Sequence, residues 1–194
     1  MIKGTIEQDE IWNEIVNTNN DVIVNAGAGT GKTFTIVEGA NRANANRMGF
    51  LCFNKSIQTE LDERLPEGVE AKTFHALGMK AIRDSVGRIK VNNWKVKNII
   101  DGILGRDYQA QPLVKLISLV KGSMIDCTDN KQIYQLIDKY NIEFKSDREE
   151  VMGVDIVCQI LDECKKQTNE IDFDDMIWLP LVNNYPLPQF DILF

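Results

Sequence analysis

The stretch NAGAGTGKTF at residues 25–34 places the tightest constraint on how this chain folds. It follows the β-branched run DVIVN at residues 21–25, which is typical of a short buried strand bounded by turns. After it, side chains that suit one helix face recur at i, i+3, i+4 and i+7 from Thr33. A strand, a loop of spaced glycines and a helix, in that order, predict an α/β fold with an anion site where the helix begins.

The glycines give this loop the backbone freedom that an anion site needs. Gly27, Gly29 and Gly31 let successive N–H groups turn inward, and the helix dipole adds a favourable potential for phosphate. Lys32 would neutralise the β- and γ-phosphates of a bound nucleotide, and the Thr33 hydroxyl would ligate Mg²⁺. The first position of the pattern GxxxxGK[ST] is an alanine here. The predicted cofactor-binding loop comprises Ala26, Gly27, Ala28, Gly29, Thr30, Gly31, Lys32 and Thr33, with Lys32 as the catalytic cation and Thr33 as the metal ligand. The alternative is a glycine-rich turn that caps an ordinary helix.

Strands and helices alternate over the first 85 residues. The runs GFLCF (49–53) and VEAKT (69–73) are typical of strands, and residues 56–65 and 75–85 are typical of helices. This alternation predicts a parallel sheet with helices on its faces. The run FDILF (190–194) is also of strand type.

The pattern changes to four consecutive amphipathic helices over residues 86–168. Their apolar faces begin at Val96, Leu113, Ile133 and Val157. Ser146 forms a capping box that is expected to open the last of them. We therefore predict a nucleotide-binding domain from residues 1–85 and 169–194, with residues 86–168 as an inserted all-helical subdomain.

Composition narrows the possible partners. A net charge of −7 weakens long-range steering toward DNA, although it does not exclude a local binding strip. No apolar run approaches the roughly 18 residues of a membrane span, and the N-terminus lacks the apolar segment of a signal peptide. The four cysteines include no CxxC and accompany one histidine. We expect reduced thiols in a cytoplasmic protein, no zinc site and no membrane partner.

Five motifs in order resemble one family. The segment AGAGTGKT (26–33) resembles the nucleotide-binding motif of UvrD/Rep-type superfamily 1 DNA helicases, and Gln8 is placed like the glutamine that reads adenine there. FNKSIQTEL (53–61) and TFHAL (73–77) are similar to motifs that contact single-stranded DNA, the former nearest to the F-box DNA helicase branch. IDFDDMIWLPL (171–181) resembles the helix that leads into Walker B.

The resemblance implies roles for particular side chains. The Gln8 amide could hydrogen-bond adenine N6 and N7, because it offers a donor and an acceptor. Phe53 could stack on a base or belong to the core. In contrast, Asp172, Asp174 and Asp175 are interpreted as helix-capping residues. The predicted DNA-binding set is Phe53, Asn54, Lys55, Thr73, Phe74 and His75. Phe34 stands where many relatives carry a basic residue.

The resemblance also implies an architecture and an activity. The nucleotide-binding domain would be a RecA-like P-loop domain (1A), and the helical insertion (1B) would contact duplex DNA at a junction. The full enzyme would hydrolyse ATP with Mg²⁺ and move 3′-to-5′ along single-stranded DNA in the cytoplasm or nucleoid. In relatives an Asp-Glu pair follows the strand corresponding to FDILF, and the sequence ends at Phe194 before such a pair. We therefore expect C-terminal domains 2A and 2B as missing partners and negligible turnover by this chain alone. A small P-loop kinase and a nucleotide-binding module without hydrolysis are the alternatives.

Overall fold

A computed structural model describes residues 2–194, which form two compact units. The first comprises the chain up to Phe74 together with Pro188–Phe194, and the second comprises His75–Leu187. These limits differ from the predicted domain boundaries after residue 85 and before residue 169, and the assignment of domain roles stays a prediction. No helix of the described residues is long and apolar enough to cross a membrane.

The first unit is a small parallel sheet flanked by helices. Its elements in chain order are α1 (Ile6–Asn17), α2 (Lys32–Arg42), β1 (Met48–Cys52), α3 (Lys55–Asp62), β2 (Glu70–Thr73) and β5 (Ile192–Leu193). The sheet order is β2-β1-β5, and both pairings are parallel. The predicted parallel sheet is therefore confirmed, including a strand within FDILF.

The sheet and its helices share an apolar core. Phe50 and Cys52 of β1 and Ala71 of β2 lie buried with Ala40 of α2 and Leu61 of α3. Because α2 and α3 both pack on this sheet, the start of α2 and the ends of the strands belong to one unit.

The predicted strand at residues 21–25 is absent from the structure. Ile23 is 96% exposed, and no strand pairs with this segment. A strand needs a ladder partner for its backbone groups. Both edges of β1 are occupied, by β2 and β5, and residues 21–25 pair with neither of these two outer strands.

The second unit is mostly helical, and most of α4 belongs to it. Its elements are α4 (Phe74–Val86), β3 (Lys90–Val91), α5 (Lys95–Leu104), α6 (Ala110–Ser123), α7 (Asn130–Lys139), α8 (Asp147–Asp155), α9 (Val157–Lys166), β4 (Glu170–Ile171) and α10 (Asp175–Val182). The four predicted amphipathic helices correspond to α5, α6, α7 and α9. Their apolar faces meet in one core that includes Ile100, Leu116, Ile133 and Ile160.

Two details of the helical unit differ from the sequence expectations. The Ser146 hydroxyl accepts from Glu149 N at 3.3 Å, but it opens the separate helix α8 rather than α9. The sequence also contained no signal for the parallel pairing of β3 with β4, in which Val91 lies opposite Ile171.

The expectation that all four cysteines are reduced thiols is wrong for two of them. Cys127, in the loop after α6, and Cys158 of α9 form a disulfide with their Cα atoms 5.2 Å apart. Tertiary packing brings these two residues together from a separation of 31 positions, which the cysteine spacing alone did not reveal. Cys52 and Cys164 are free and buried.

Candidate functional site

The glycine loop turns sharply and leads directly into α2. Gly29 and Gly31 have φ values of 75° and 84°, in the region that favours glycine. Gly31 occupies the N-cap position of α2, and no side chain caps the helix there. The first helical hydrogen bond runs from Thr35 N to Gly31 O at 2.9 Å. The N–H groups of the preceding residues in the first turn therefore have no helical acceptor, which makes this helix end suitable for an anion.

Lys32 lies at the first position of α2 and folds back over the loop. Its Nζ donates to Ala26 O at 3.0 Å and to Gly27 O at 2.6 Å. The Thr30 hydroxyl donates to Gly27 O at 2.9 Å, which tightens the same turn. Lys32 is exposed, so its ammonium can exchange these carbonyl partners for another acceptor. Among the described residues, the Thr33 hydroxyl has no hydrogen-bond partner.

Gln8 lies beside the loop and already has two partners. Its Oε1 accepts from Thr5 N at 3.0 Å, completing a capping box at the start of α1. Its Nε2 donates to the Thr35 hydroxyl at 3.0 Å, and it lies 3.7 Å from where a Cβ on Gly31 would stand. The structure thus brings Gln8 next to the glycine loop, with one Nε2 hydrogen free for a further acceptor.

Trp12 fixes α1 against α2 beneath this region. The Trp12 indole Nε1 donates to Thr35 O at 2.8 Å, and the Arg42 guanidinium lies 3.7 Å above the ring centroid. Phe34 contacts the edge of the same ring, with 6.3 Å between centroids. The residue after the glycine loop therefore packs on Trp12 and contributes no charge near the loop.

The other predicted residues follow two neighbouring strands at their carboxyl ends. Cys52 of β1 lies opposite Thr73 of β2, so Phe53 and Phe74 emerge side by side at one edge of the sheet. The Phe53 ring is 87% exposed and the Phe74 ring is 50% exposed. Phe53 is thus not a core residue, which removes that alternative.

The polar residues at this edge have different positions. The Asn54 side chain accepts from Ile57 N at 2.9 Å and caps α3. Lys55 begins α3 and is exposed. The side-chain oxygen of Asn54 is engaged in this cap. The Asn54 amide nitrogen and the Lys55 ammonium remain available to an acceptor.

His75, in the first turn of α4, stacks on a residue that the sequence analysis did not single out. The His75 and Phe173 rings lie 3.9 Å apart with an interplanar angle of 26°. Phe173 is 55% exposed, although its neighbours Asp172 and Asp175 are buried. The sequence contains a signal for this ring, because an aromatic residue between acidic residues, as in IDFDD, is in a polar context that favours exposure. The interpretation of the acidic residues as a helix cap does not assign a role to Phe173.

The acidic residues around Phe173 form a buried ionic network. The Asp172 carboxylate accepts from Asp175 N at 2.7 Å. Asp174 occupies the N-cap position of α10, but its side chain makes no capping hydrogen bond there. Lys121 Nζ lies 2.7 Å from Asp172 Oδ2 and 2.8 Å from Asp175 Oδ1. Lys95 Nζ lies 2.7 Å from Asp175 Oδ2. Two cations and two carboxylates thus neutralise each other in the interior, as buried charges require.

The buried environment shifts the pKa values of Lys121 and Cys164. Burial opposes the charge on Lys121, yet the carboxylates of Asp175 and Asp172 hold the pKa of Lys121 above its ordinary value. Burial raises the pKa of the neighbouring Cys164 thiol to about 11. Lys121 is therefore a cation and Cys164 a neutral thiol at physiological pH.

Comparison with known proteins identifies helicases as relatives of this chain. The model of the UvrD/REP helicase N-terminal domain matches residues 7–185. DNA helicase IV of Escherichia coli (strain K12) is 31% identical over 88 residues, which cover 40% of this chain and 13% of that protein. F-box DNA helicase 1 of Gallus gallus is 33% identical over 81 residues, which cover 42% of this chain and 8% of that protein. This chain thus spans a small part of the length of either relative. Because the domain model matches nearly the whole chain, this chain belongs to the UvrD/REP helicase family.

Proposed function

We propose that this chain is the ATP- and DNA-binding N-terminal portion of an ATP-dependent 3′-to-5′ DNA helicase. Residues 1–85 and 169–194 would form the RecA-like nucleotide-binding domain, and residues 86–168 would form the inserted subdomain that contacts duplex DNA at a junction. Domains 2A and 2B would be its partners in a cytoplasmic or nucleoid-associated enzyme. The observation that carries the proposal is the glycine loop that opens α2 with Lys32 at its first position.

The residues of the loop fit a nucleotide triphosphate with Mg²⁺. The first turn of α2 offers N–H donors without helical acceptors, and the exposed Lys32 ammonium lies over the loop. Lys32 would exchange the carbonyls of Ala26 and Gly27 for phosphate oxygens. The Thr33 hydroxyl would ligate the metal, and Gln8 would offer its remaining Nε2 hydrogen to adenine. In the full enzyme, hydrolysis of the bound Mg·ATP would supply the free energy for movement along DNA.

Exposed aromatic rings within each unit would stack on the bases of single-stranded DNA. In the first unit Phe53 and Phe74 emerge from neighbouring strands, and in the second unit the stacked pair His75 and Phe173 offers an aromatic face of its own. Stacking of a base on such a ring is worth about 1–3 kcal/mol and tolerates any sequence, as a translocating enzyme requires. Lys55 would add a contact to a backbone phosphate. This mode of binding needs no strongly basic protein.

The nucleotide assignment is tested by equilibrium binding of a fluorescent ATP analogue with Mg²⁺ to the intact chain. We expect Lys32→Ala to weaken binding by at least tenfold without altering the circular dichroism spectrum. Lys3→Ala removes the same charge from an exposed position in the same unit and should leave the affinity unchanged. Equal affinities for Lys32→Ala and wild type would contradict the assignment of the loop.

A further inference from the structure

The turn that carries Phe173 is closed by its own side chains. Asp175 N donates to Asp172 Oδ1 at 2.7 Å, and Asp172 N donates to Asp175 Oδ2 at 3.2 Å. This reciprocal pair draws both carboxylates into the interior of the helical unit. Phe173, which lies between them in sequence, is left more than half exposed beside His75.

Two lysines from other helices hold the inward carboxylates. Lys95 of α5 donates to Asp175, and it also donates to Cys164 O at 2.9 Å and Gln167 O at 3.0 Å. All three of its ammonium hydrogens are thus used. Lys121 of α6 donates to both carboxylates. The turn is therefore anchored to α5, α6 and the end of α9 at once.

A contribution to stability does not by itself explain an ionic network at this position. Well-packed apolar residues often stabilise an interior as much as or more than buried ion pairs, whereas ion pairs are directional. Each oxygen of the two carboxylates has a defined donor, so the turn has one orientation in which all hydrogen bonds are made. Rotation of the turn would leave buried charges without partners.

We propose that Lys95 and Lys121 are positioning residues for single-stranded DNA, which fix the Asp172–Asp175 turn so that Phe173 presents its ring beside His75. Neither lysine touches the DNA, because both side chains are fully buried. Their effect on affinity passes through the orientation of Phe173. This inference rests on the proposed stacking of DNA bases on Phe173.

The test uses variants that keep the interior neutral. Lys121→Met combined with Asp172→Asn removes one charge of each sign and keeps an oxygen that can accept from Asp175 N. The matched control is Lys97→Met with Asp101→Asn, which removes an ion pair from a less buried face of α5 in the same unit. Binding is measured with a dT oligonucleotide that contains 2-aminopurine, whose fluorescence falls when it stacks.

We expect Phe173→Ala to weaken oligonucleotide binding roughly fivefold or more and to reduce the quenching of 2-aminopurine. The neutral variant at residues 121 and 172 should show a similar loss, and it should cause no further loss in the Phe173→Ala background. The control pair at residues 97 and 101 should bind like wild type. A general loosening of the fold would instead weaken binding in both backgrounds.

The outcomes separate this inference from the proposed function. If Phe173→Ala binds like wild type, base stacking on Phe173 is wrong and the inference falls with it. If Phe173→Ala weakens binding but the neutral variant does not, or if the two losses add, the positioning role is wrong while the stacking proposal stands. Lys121→Arg, which keeps the charge but changes the length of the side chain, serves if the neutral variant does not fold. Unchanged affinity and quenching in Lys121→Arg would then overturn the inference.

Discussion

Removal of the disulfide between Cys127 and Cys158 is expected to lower the free energy of unfolding by about 3–4 kcal/mol. The two residues are 31 positions apart, so the bond closes a loop of that length in the unfolded chain. In the chain-entropy model, a loop of about 30 residues lowers the entropy of the unfolded state by about 12 cal/mol/K, which gives this free energy near 298 K. The double variant Cys127→Ser, Cys158→Ser leaves the folded contacts of the helical unit otherwise intact.

The assay is urea unfolding followed by circular dichroism at 222 nm, with and without a thiol reductant. We expect the midpoint of wild type to fall on reduction, and the double variant to unfold at the lower midpoint under both conditions. Non-reducing peptide mapping before unfolding should show one cross-linked pair and two free thiols. A reductant-insensitive midpoint, within about 0.5 kcal/mol in free energy, would refute the entropic argument. Four free thiols after treatment with oxidised glutathione would refute the pairing itself.

Three further predictions concern single positions. Gly78→Ala should destabilise the chain by about 3 kcal/mol in urea unfolding, because a Cβ there would lie 1.7 Å from Met176 O; stability equal to wild type would contradict the close approach of these elements. Trp12→Phe should cost about 1 kcal/mol or more in the same assay, since it removes the hydrogen bond to Thr35 O, and an unchanged midpoint would show that this bond contributes nothing. Cys164 should resist iodoacetamide at pH 8 until the chain unfolds, because it is buried and its thiol has a pKa of about 11. At pH 8 such a thiol is ionised in about one molecule per thousand. Rapid alkylation of the native chain would count against the burial of Cys164.

The sequence predicted those parts of the fold in which local pattern and tertiary context agree. The helices of the second unit have apolar faces with unbroken spacing, and each of the four is present. The parallel sheet followed from the alternation of strands and helices. The conformational demands of the loop predict glycine at positions 27, 29 and 31; Gly29 and Gly31 have positive φ, whereas Gly27 does not.

The parts that failed depend on partners far away in sequence. DVIVN has the composition of a strand, but composition does not determine whether another strand pairs with it. Ile23 in this segment is exposed to solvent. The pairing of Cys127 with Cys158 depends on how the loop after α6 meets α9. Two lysines on separate helices complete the network around Asp175, and no local pattern links them to the acidic turn.

The side-chain amide of Gln8 both caps the start of α1 and contacts α2 beside the glycine loop. Its oxygen holds Thr5 N, and its nitrogen holds the Thr35 hydroxyl. A base that also donated to the amide oxygen would compete with Thr5 N for this acceptor at the start of α1. The amide proton at position 5 would then exchange faster with deuterium when nucleotide is added, so hydrogen exchange at the start of α1 would report whether the glycine loop is occupied.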